Sequence, residues 1–175
     1  LKRLDCSTTT LPEETKTVSI YSLGERDALV WGNNKYLILA PTIFLKKGTT
    51  SENLSTELLN HRLTLYYLSA EGDEDANTLK LYLRYEISGI GESSTEETDD
   101  KESWASDYNV QYTNVSYVNL QPIISMYKST HSGSEPEKVT VEYEYNNSAS
   151  SIPTIAKKQT KTVTYSLYTE TSSNN

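Results

Sequence analysis

With 175 residues, 35% of them hydrophobic, a net charge of -8 and a pI near 4.8, the chain is long enough for one domain with a thin core. Its cations fall in scattered pairs such as Lys46-Lys47 and Lys157-Lys158, which excludes the clustered Lys and Arg that a nucleic-acid partner requires. Fourteen tyrosines against one phenylalanine, and 44 serines and threonines, suit a pleated surface that is wet on one side.

The first residues, Leu1 to Pro12, place Leu1, Leu4, Cys6 and Leu11 among threonines. Leu4, Cys6, Thr8 and Thr10 share one parity, so this stretch reads either as an extended strand with one weakly apolar face or as a disordered leader. No basic-then-apolar leader precedes it, which is read as a processed, exported chain. The lone Cys6 allows no intrachain disulfide and is read as an inert small side chain. Asp5 stands where a small residue would precede an acylated cysteine, which disfavours a lipid anchor there.

Lys16–Leu23 and Tyr36–Leu45 read as strands; the second is the longest apolar stretch, about half of what a membrane span needs, and it contains Pro41. Glu52–Asn60 has spacing for one or two helical turns, with Ser51 as cap and Leu54, Leu58 and Leu59 on one face. Arg62–Ser69 is a further strand. The clearest alternation is Leu79, Leu81, Leu83, Tyr85 and Ile87 against Lys80, Tyr82, Arg84 and Glu86. Tyr108–Tyr127 is too long for one strand and is split near Asn119–Pro122. Val139, Val141, Tyr143 and Tyr145 alternate with Lys138, Thr140, Glu142 and Glu144. Val163, Tyr165 and Leu167 alternate with Thr162, Thr164 and Ser166. Turn-rich stretches separate these runs at Gly32–Asn34, Gly48–Asn53, Glu71–Asn77, Ser88–Ser103 and Ser129–Glu137. The pattern predicts an all-β, immunoglobulin-like or pilin-like β-sandwich of seven or eight strands, with residues 1–15 as an extended tail and 16–175 as the head.

Catalytic chemistry is not evident. The only histidines, His61 and His131, are read as surface residues, and no zinc spacing, phosphate loop or nucleophile elbow occurs. Asp73–Asn77 starts like a calcium loop, but Thr78 and Arg84 stand where its glycine and glutamate belong. No cofactor is expected. Three sequons begin at Asn53, Asn114 and Asn146; their number is what chance gives for this composition, while Asn53 and Asn146 fall in or beside expected loops.

The threonine-rich Leu1–Pro12 segment and the Tyr/Thr/Ser/Asn-rich sandwich with three sequons together resemble the thread pilins of acidophilic archaea. The resemblance is compositional, spread over the whole chain. It implies an extracellular, cell-surface filament of subunits carrying N-linked glycans on Asn53, Asn114 and Asn146, serving adhesion or cell–cell contact. It also implies a homopolymer, in which each tail enters the head of a neighbouring copy as a donor strand through Leu1, Leu4, Cys6, Thr8, Thr10 and Leu11. That reading requires the opening residues to find no place in their own sheets. The alternative is a monomeric surface module that binds carbohydrate through Trp31, Trp104 and exposed tyrosines.

Overall fold

The computed structural model describes residues 2–24, 30–31, 33–68, 77–91 and 103–167. Among these, the strands in chain order are β1 (Lys2–Arg3), β2 (Asp5–Ser7), β3 (Val30–Trp31), β4 (Tyr36–Leu39), β5 (Thr42–Leu45), β6 (His61–Tyr66), β7 (Thr78–Ile87), β8 (Val110–Thr113), β9 (Ser116–Asn119), β10 (Lys138–Asn146) and β11 (Lys158–Ser166). Two helices accompany them, α1 (Leu54–Leu58) and α2 (Gln121–Thr130), with a 3-10 turn at Ala105–Asp107.

The alternating runs make the centre of the molecule. On β7 the set Leu79, Leu81, Leu83, Tyr85 and Ile87 is buried to 1% exposure or less, as the period of two demands. β7 lies in a five-stranded sheet of order β11-β10-β7-β6-β2, and β1-β9-β4-β3 form a second sheet. Their apolar residues meet in one core, to which β5 adds Ile43, Phe44 and Leu45. The architecture is all-β and sandwich-like, with more strands than the seven or eight expected.

The excess has a physical origin. The Tyr36–Leu45 run is cut into β4 and β5 at Pro41, which has no N–H to give to a ladder. Opposite, β9 and β8 are cut at Asn114 and Val115. The ladder closes on one side at Leu39↔Ser116 and resumes on the other at Thr42↔Thr113, in unchanged register. One bond, Asn114 N–H to Pro41 O at 2.8 Å, spans the gap. β4–β5 and β9–β8 are therefore one interrupted antiparallel ribbon.

Two segments depart from expectation. Lys16–Leu23 is no regular strand: Val18 bridges Tyr85 of β7, Ile20 bridges Tyr145 of β10, and Ser22 bridges Thr42 of β5. The parallel β7–β10 ladder runs only from Thr78↔Lys138 to Tyr82↔Glu142. Beyond it, residues 17–20 enter between the two strands as a wedge, and all four are buried. Gln121–Thr130 is helical, where the sequence suggested a strand after Pro122. Proline in the first turn costs nothing there, and Leu120, Ile123 and Tyr127, at helical spacing, are buried to 2% or less. At α1 the expected cap is also corrected: Asn53, not Ser51, occupies the N-cap position without a side-chain cap bond. Leu59 is 82% exposed, whereas Leu54 and Leu58 are half-buried against the core.

Candidate functional site

The N-terminal residues lie across the seam between the two sheets. Lys2 and Arg3 pair in parallel with Ser116 and Tyr117 of β9. Asp5, Cys6 and Ser7 pair in parallel with Thr64, Leu65 and Tyr66 of β6. Between these ladders Leu4 drops into the core at 5% exposure, and its amide donates to Tyr117 O at 2.8 Å. The expectation that the opening residues lack a place in their own sheets is therefore corrected, as is their separation as a free tail. An edge strand offers unpaired backbone groups wherever they come from, and this chain's own β6 and β9 offer them nearest to its own N-terminus.

The inward set is realised in part. Leu4 is buried and Cys6 half-buried, Thr8 and Thr10 are exposed, and Leu11 is half-buried; Leu1 lies outside the described residues. Burial pushes the Cys6 thiol up to about 11, so a reactive thiolate is scarce at neutral pH.

Past this strand the chain is exposed from Thr8 to Thr10 and again from Glu13 to Lys16, and it is then clamped. Lys158 donates to Glu14 O at 2.7 Å and Thr17 O at 2.6 Å. A Cβ added to Gly91, at φ +84°, would stand 2.5 Å from Thr15 O, so the backbone there passes where a side chain cannot. The clamp ends in a buried ionic network. Lys158 Nζ is 3.3 Å from Glu144 Oε1, Thr17 donates to the same oxygen at 2.7 Å, and Arg84 binds Glu142 at 2.7 Å. Burial holds the Lys158 ammonium below its usual range, only partly offset by the charge of Glu144.

His61 is not the surface residue expected; its side chain is 1% exposed. Nε2 is 2.6 Å from Glu57 Oε2, and Nδ1 is 2.8 Å from the Tyr85 hydroxyl, which lies 3.0 Å from Phe44 O. Burial lowers the affinity of His61 for a proton more than Glu57 raises it. Burial also pushes the Glu57 carboxyl up, but the bond from His61, the Lys46 amide and the His61 charge together bring it below its usual range. The cluster ties α1, β5, β6 and β7 together. His131 stacks on Tyr127 with ring centroids 3.8 Å apart.

The three sequons have different fates. Asn53 and Ser55 are exposed. Asn114 is half-buried, and Ser116 beside it is fully buried with its hydroxyl donating to Asn114 O at 2.9 Å. Asn146 is 6% exposed. Its amide donates to Ala149 O and Ile152 O, and its oxygen accepts from the Ser148 and Ala149 amides. A glycan on this nitrogen would break the loop that it organises, so Asn146 is a structural residue in this fold. The signal missed in the sequence was that Asn favours such turn bonds as strongly as it marks a sequon.

A groove of about 350 Å³ opens on the outer face of the five-stranded sheet. Register makes its floor a grid: Thr78 beside Lys138, Lys80 beside Thr140 and Thr140 beside Thr164, Tyr82 beside Glu142 and Glu142 beside Thr162. Thr78 is 4% exposed, and its hydroxyl has no hydrogen-bond partner among the described residues. The sequence showed these side chains as the polar parity of three strands; their assembly into one face awaited the parallel β7–β10 pairing. Of the aromatic platform residues, Trp104 is half-buried near Tyr108, and the side chain of Trp31 lies outside the described residues. Most of Asp73–Asn77 also lies outside them. Among the described residues no three metal-ligating side chains converge, and no helix is long and apolar enough to cross a membrane.

No family model and no curated protein matches the chain. Among solved structures, a chain from Bacteroides fragilis NCTC 9343 titled "Putative lipoprotein" is similar with a TM-score of 0.74 at 18% identity, over 98% of this chain and 72% of that one. An uncharacterized protein from Parabacteroides merdae ATCC 43184 gives a TM-score of 0.47 at 18% identity, over 97% and 68%. What the first comparison establishes is the fold: this chain shares its all-β, sandwich-like architecture with a protein of bacterial origin.

Proposed function

We propose that the chain is a non-catalytic structural subunit of a cell-surface assembly. Residues 2–7 fill the seam of their own chain, so the head is not short of a strand, and assembly in this reading requires that strand to leave its own seam for a neighbour's. The carrying observation is the way residues 2–7 are held. They dock by short parallel ladders and one plug, Leu4, and are joined to the clamp at Glu14 by a largely exposed connection. Every bond they make to β6 and β9 can be made by the same residues of a second copy, because only the occupant of the seam changes. Head-to-tail repetition of that exchange gives an open filament. The description of the B. fragilis chain supports an envelope or extracellular location, and Asn53 is the sequon whose geometry suits a glycan.

The test uses register. Asp5 pairs with Thr64, so Asp5→Cys with Thr64→Cys, in a Cys6→Ser background, traps the strand wherever it sits. Oxidation of concentrated protein is expected to give a ladder of linked oligomers on non-reducing gels, matched by thin fibres in negative stain. A single fast-migrating monomer at every concentration would mean that the strand stays at home, and the filament reading fails. Under that outcome the monomeric surface-binding reading gains, for which the groove on β7, β10 and β11 is the favouring observation.

A further inference from the structure

The five-stranded sheet is closed at one edge and open at the other. Beside β6 the chain lays its own residues 5–7; beyond β11 no strand stands among the described residues. β11 keeps unbroken register with β10 from Lys158↔Asn146 to Ser166↔Lys138, so the open edge is nine residues long and carries neither proline nor bulge. The phase of its backbone follows from its ends. Leu167 N–H donates to Glu137 O at 2.9 Å, and Lys157 O accepts from the Asn147 amide at 3.4 Å, so the odd-numbered residues face β10. Antiparallel strands alternate, and the N–H and C=O groups of Thr160, Thr162, Thr164 and Ser166 therefore face outward. All four residues are exposed.

Lysines commonly guard such an edge; here both are turned onto the body. Lys158 reaches Thr17 O at 2.6 Å and Glu144 Oε1 at 3.3 Å, and Lys161 lies over the ring of Tyr145, 5.8 Å from its centroid. An exposed row of outward amides on β-branched threonines is a template for another strand, and the sequence of β11 suits a second copy of itself. We propose that β11 pairs antiparallel with β11 of a second copy about a twofold axis at Thr164, which continues the two five-stranded sheets into one. That register sets Thr162 opposite Ser166, and Val163 opposite Tyr165, of the second copy. The half-buried Val163 and the buried Tyr165 then form an aromatic and β-branched pair at a non-hydrogen-bonded position, where side chains approach closest. The register also parts the charges. Lys161 lies opposite Leu167, so the two Lys161 residues stand about 20 Å apart along the strands, past the screening length of about 8 Å. Parallel pairing in register would set Lys161 against itself. The contact is isologous and closed, and it joins two monomers or two filaments side by side, independently of exchange at the seam.

The test measures amide exchange on the full chain, dilute and concentrated, with sedimentation alongside. The amides of Thr162, Thr164 and Ser166 are expected to slow by about tenfold in the concentrated, dimeric sample, while those of Val163 and Tyr165, which face β10, are unchanged. Strand exchange at the seam alters no bond of β11, so its failure leaves this pattern intact. Thr164→Glu and Thr164→Lys each set like charges directly opposite at the axis. Each variant is expected to be monomeric, and an equimolar mixture of the two to regain the dimer, which misfolded chains would not do. Outward amides whose exchange is independent of concentration overturn the proposal. So does protection of those amides that survives dilution, because something other than a second copy would then cover the edge. Single variants that pair as the parent does, or a mixture that stays monomeric, overturn it as well.

Discussion

Replacing Leu4 by alanine separates a removable N-terminal strand from one that is integral to the fold. In a rigid core the change costs about 2–5 kcal/mol. That range assumes that the strand stays docked after the methyl groups are lost. Here the strand has little else to hold it. Outside Leu4 it has short ladders, with Lys2 N–H on Val115 O at 3.1 Å and Tyr67 N–H on Ser7 O at 2.9 Å among their bonds. Ordering each residue costs about 1–2 kcal/mol. Each amide bond returns about 0.5–1.5 kcal/mol, and burial of Leu4 about 1.5–3 kcal/mol. These contributions nearly cancel, so the strand is held by a margin no larger than what the mutation removes. The loss in Leu4→Ala therefore saturates: residues 2–7 release, and the rest of the molecule remains folded.

Amide hydrogen exchange reads this directly. The Tyr67 amide, bonded to Ser7 O, reports docking, whereas the Val18 amide on Tyr85 O and the Leu120 amide on Lys35 O, each at 2.8 Å, report the body. In Leu4→Ala the Tyr67 amide is expected to lose protection by about 30-fold, the equivalent of about 2 kcal/mol, while Val18 and Leu120 keep theirs. Equal losses at Val18 would show that the strand and the wedge unfold together, and exchange between copies would then have no separable element. Unchanged protection at Tyr67 would show that Leu4 is no plug.

Three further outcomes follow from the same geometry. The folded-state affinity of His61 for protons is lowered, and so is that of Glu57. Each group thus contributes stability above its unfolded value, near 6.5 and 4.5 respectively, that is lost as pH falls through and below that value; melting temperatures measured from pH 7.5 to 4.5 should decline steadily, and His61→Gln should flatten the upper part of the decline. Lys158→Met strands Glu144, whose next cation, Arg84, is 3.9 Å away, and should cost about 3–5 kcal/mol in urea unfolding, with much of that recovered in the Lys158→Met, Glu144→Met double variant. Asn146→Ala removes the acceptor of two loop amides and the donor to two carbonyls; it should lower stability by about 1–3 kcal/mol, and mass spectrometry of glycosylated material should find no glycan at this position.

The strands at the centre were legible because alternation sets them: β7, the first part of β10 and the end of β11 bury the Leu, Val and Tyr residues that mark the apolar parity, whereas at the end of β10 Glu144 and Asn146 are buried and Tyr145 only half-buried. Helix α2 was legible in principle, since Leu120, Ile123 and Tyr127 fall at helical spacing, but tyrosine and isoleucine also suit strands and the run was read as extended. What sequence could not carry is pairing at a distance. Lys138 beside Thr78 is a parallel contact with no turn to announce it. Thr17 and Ser19 alternate with Val18 and Ile20 in the sequence, yet both polar residues are buried to 1% or less. Their partners, Glu144 for Thr17 and the Thr154 backbone for Ser19, lie far along the chain. His61 and Asn146 differ: Glu57 lies four residues before His61, and Ser148, Ala149 and Ile152 lie within six residues of Asn146, so these partners are local and it is the burial around them that the fold sets.

The wedge and the seam explain each other. A parallel pair that stops at Tyr82↔Glu142 leaves later backbone groups of β7 and β10 to be satisfied, and Val18 and Ile20 do this by donating to Tyr85 O and Glu144 O at 2.8 and 3.0 Å. The wedge has two faces. Val18 and Ile20 point to the core, so Thr17 and Ser19 must face away from it, and burying them requires polar company. Arg84, Glu144 and Lys158 supply it for Thr17, which is why charges sit inside a sheet that is otherwise apolar on its inner side. This arrangement fixes where the chain can part. C-terminal to Glu14, release would uncover ions that are buried and paired, at a cost of several kcal/mol. N-terminal to Glu13, it uncovers Leu4, parts of Cys6 and Leu11, and a few amides. In the exchange reading the hinge lies between Thr8 and Glu13, which confines the exchanged element to the opening residues and leaves the wedge with the body.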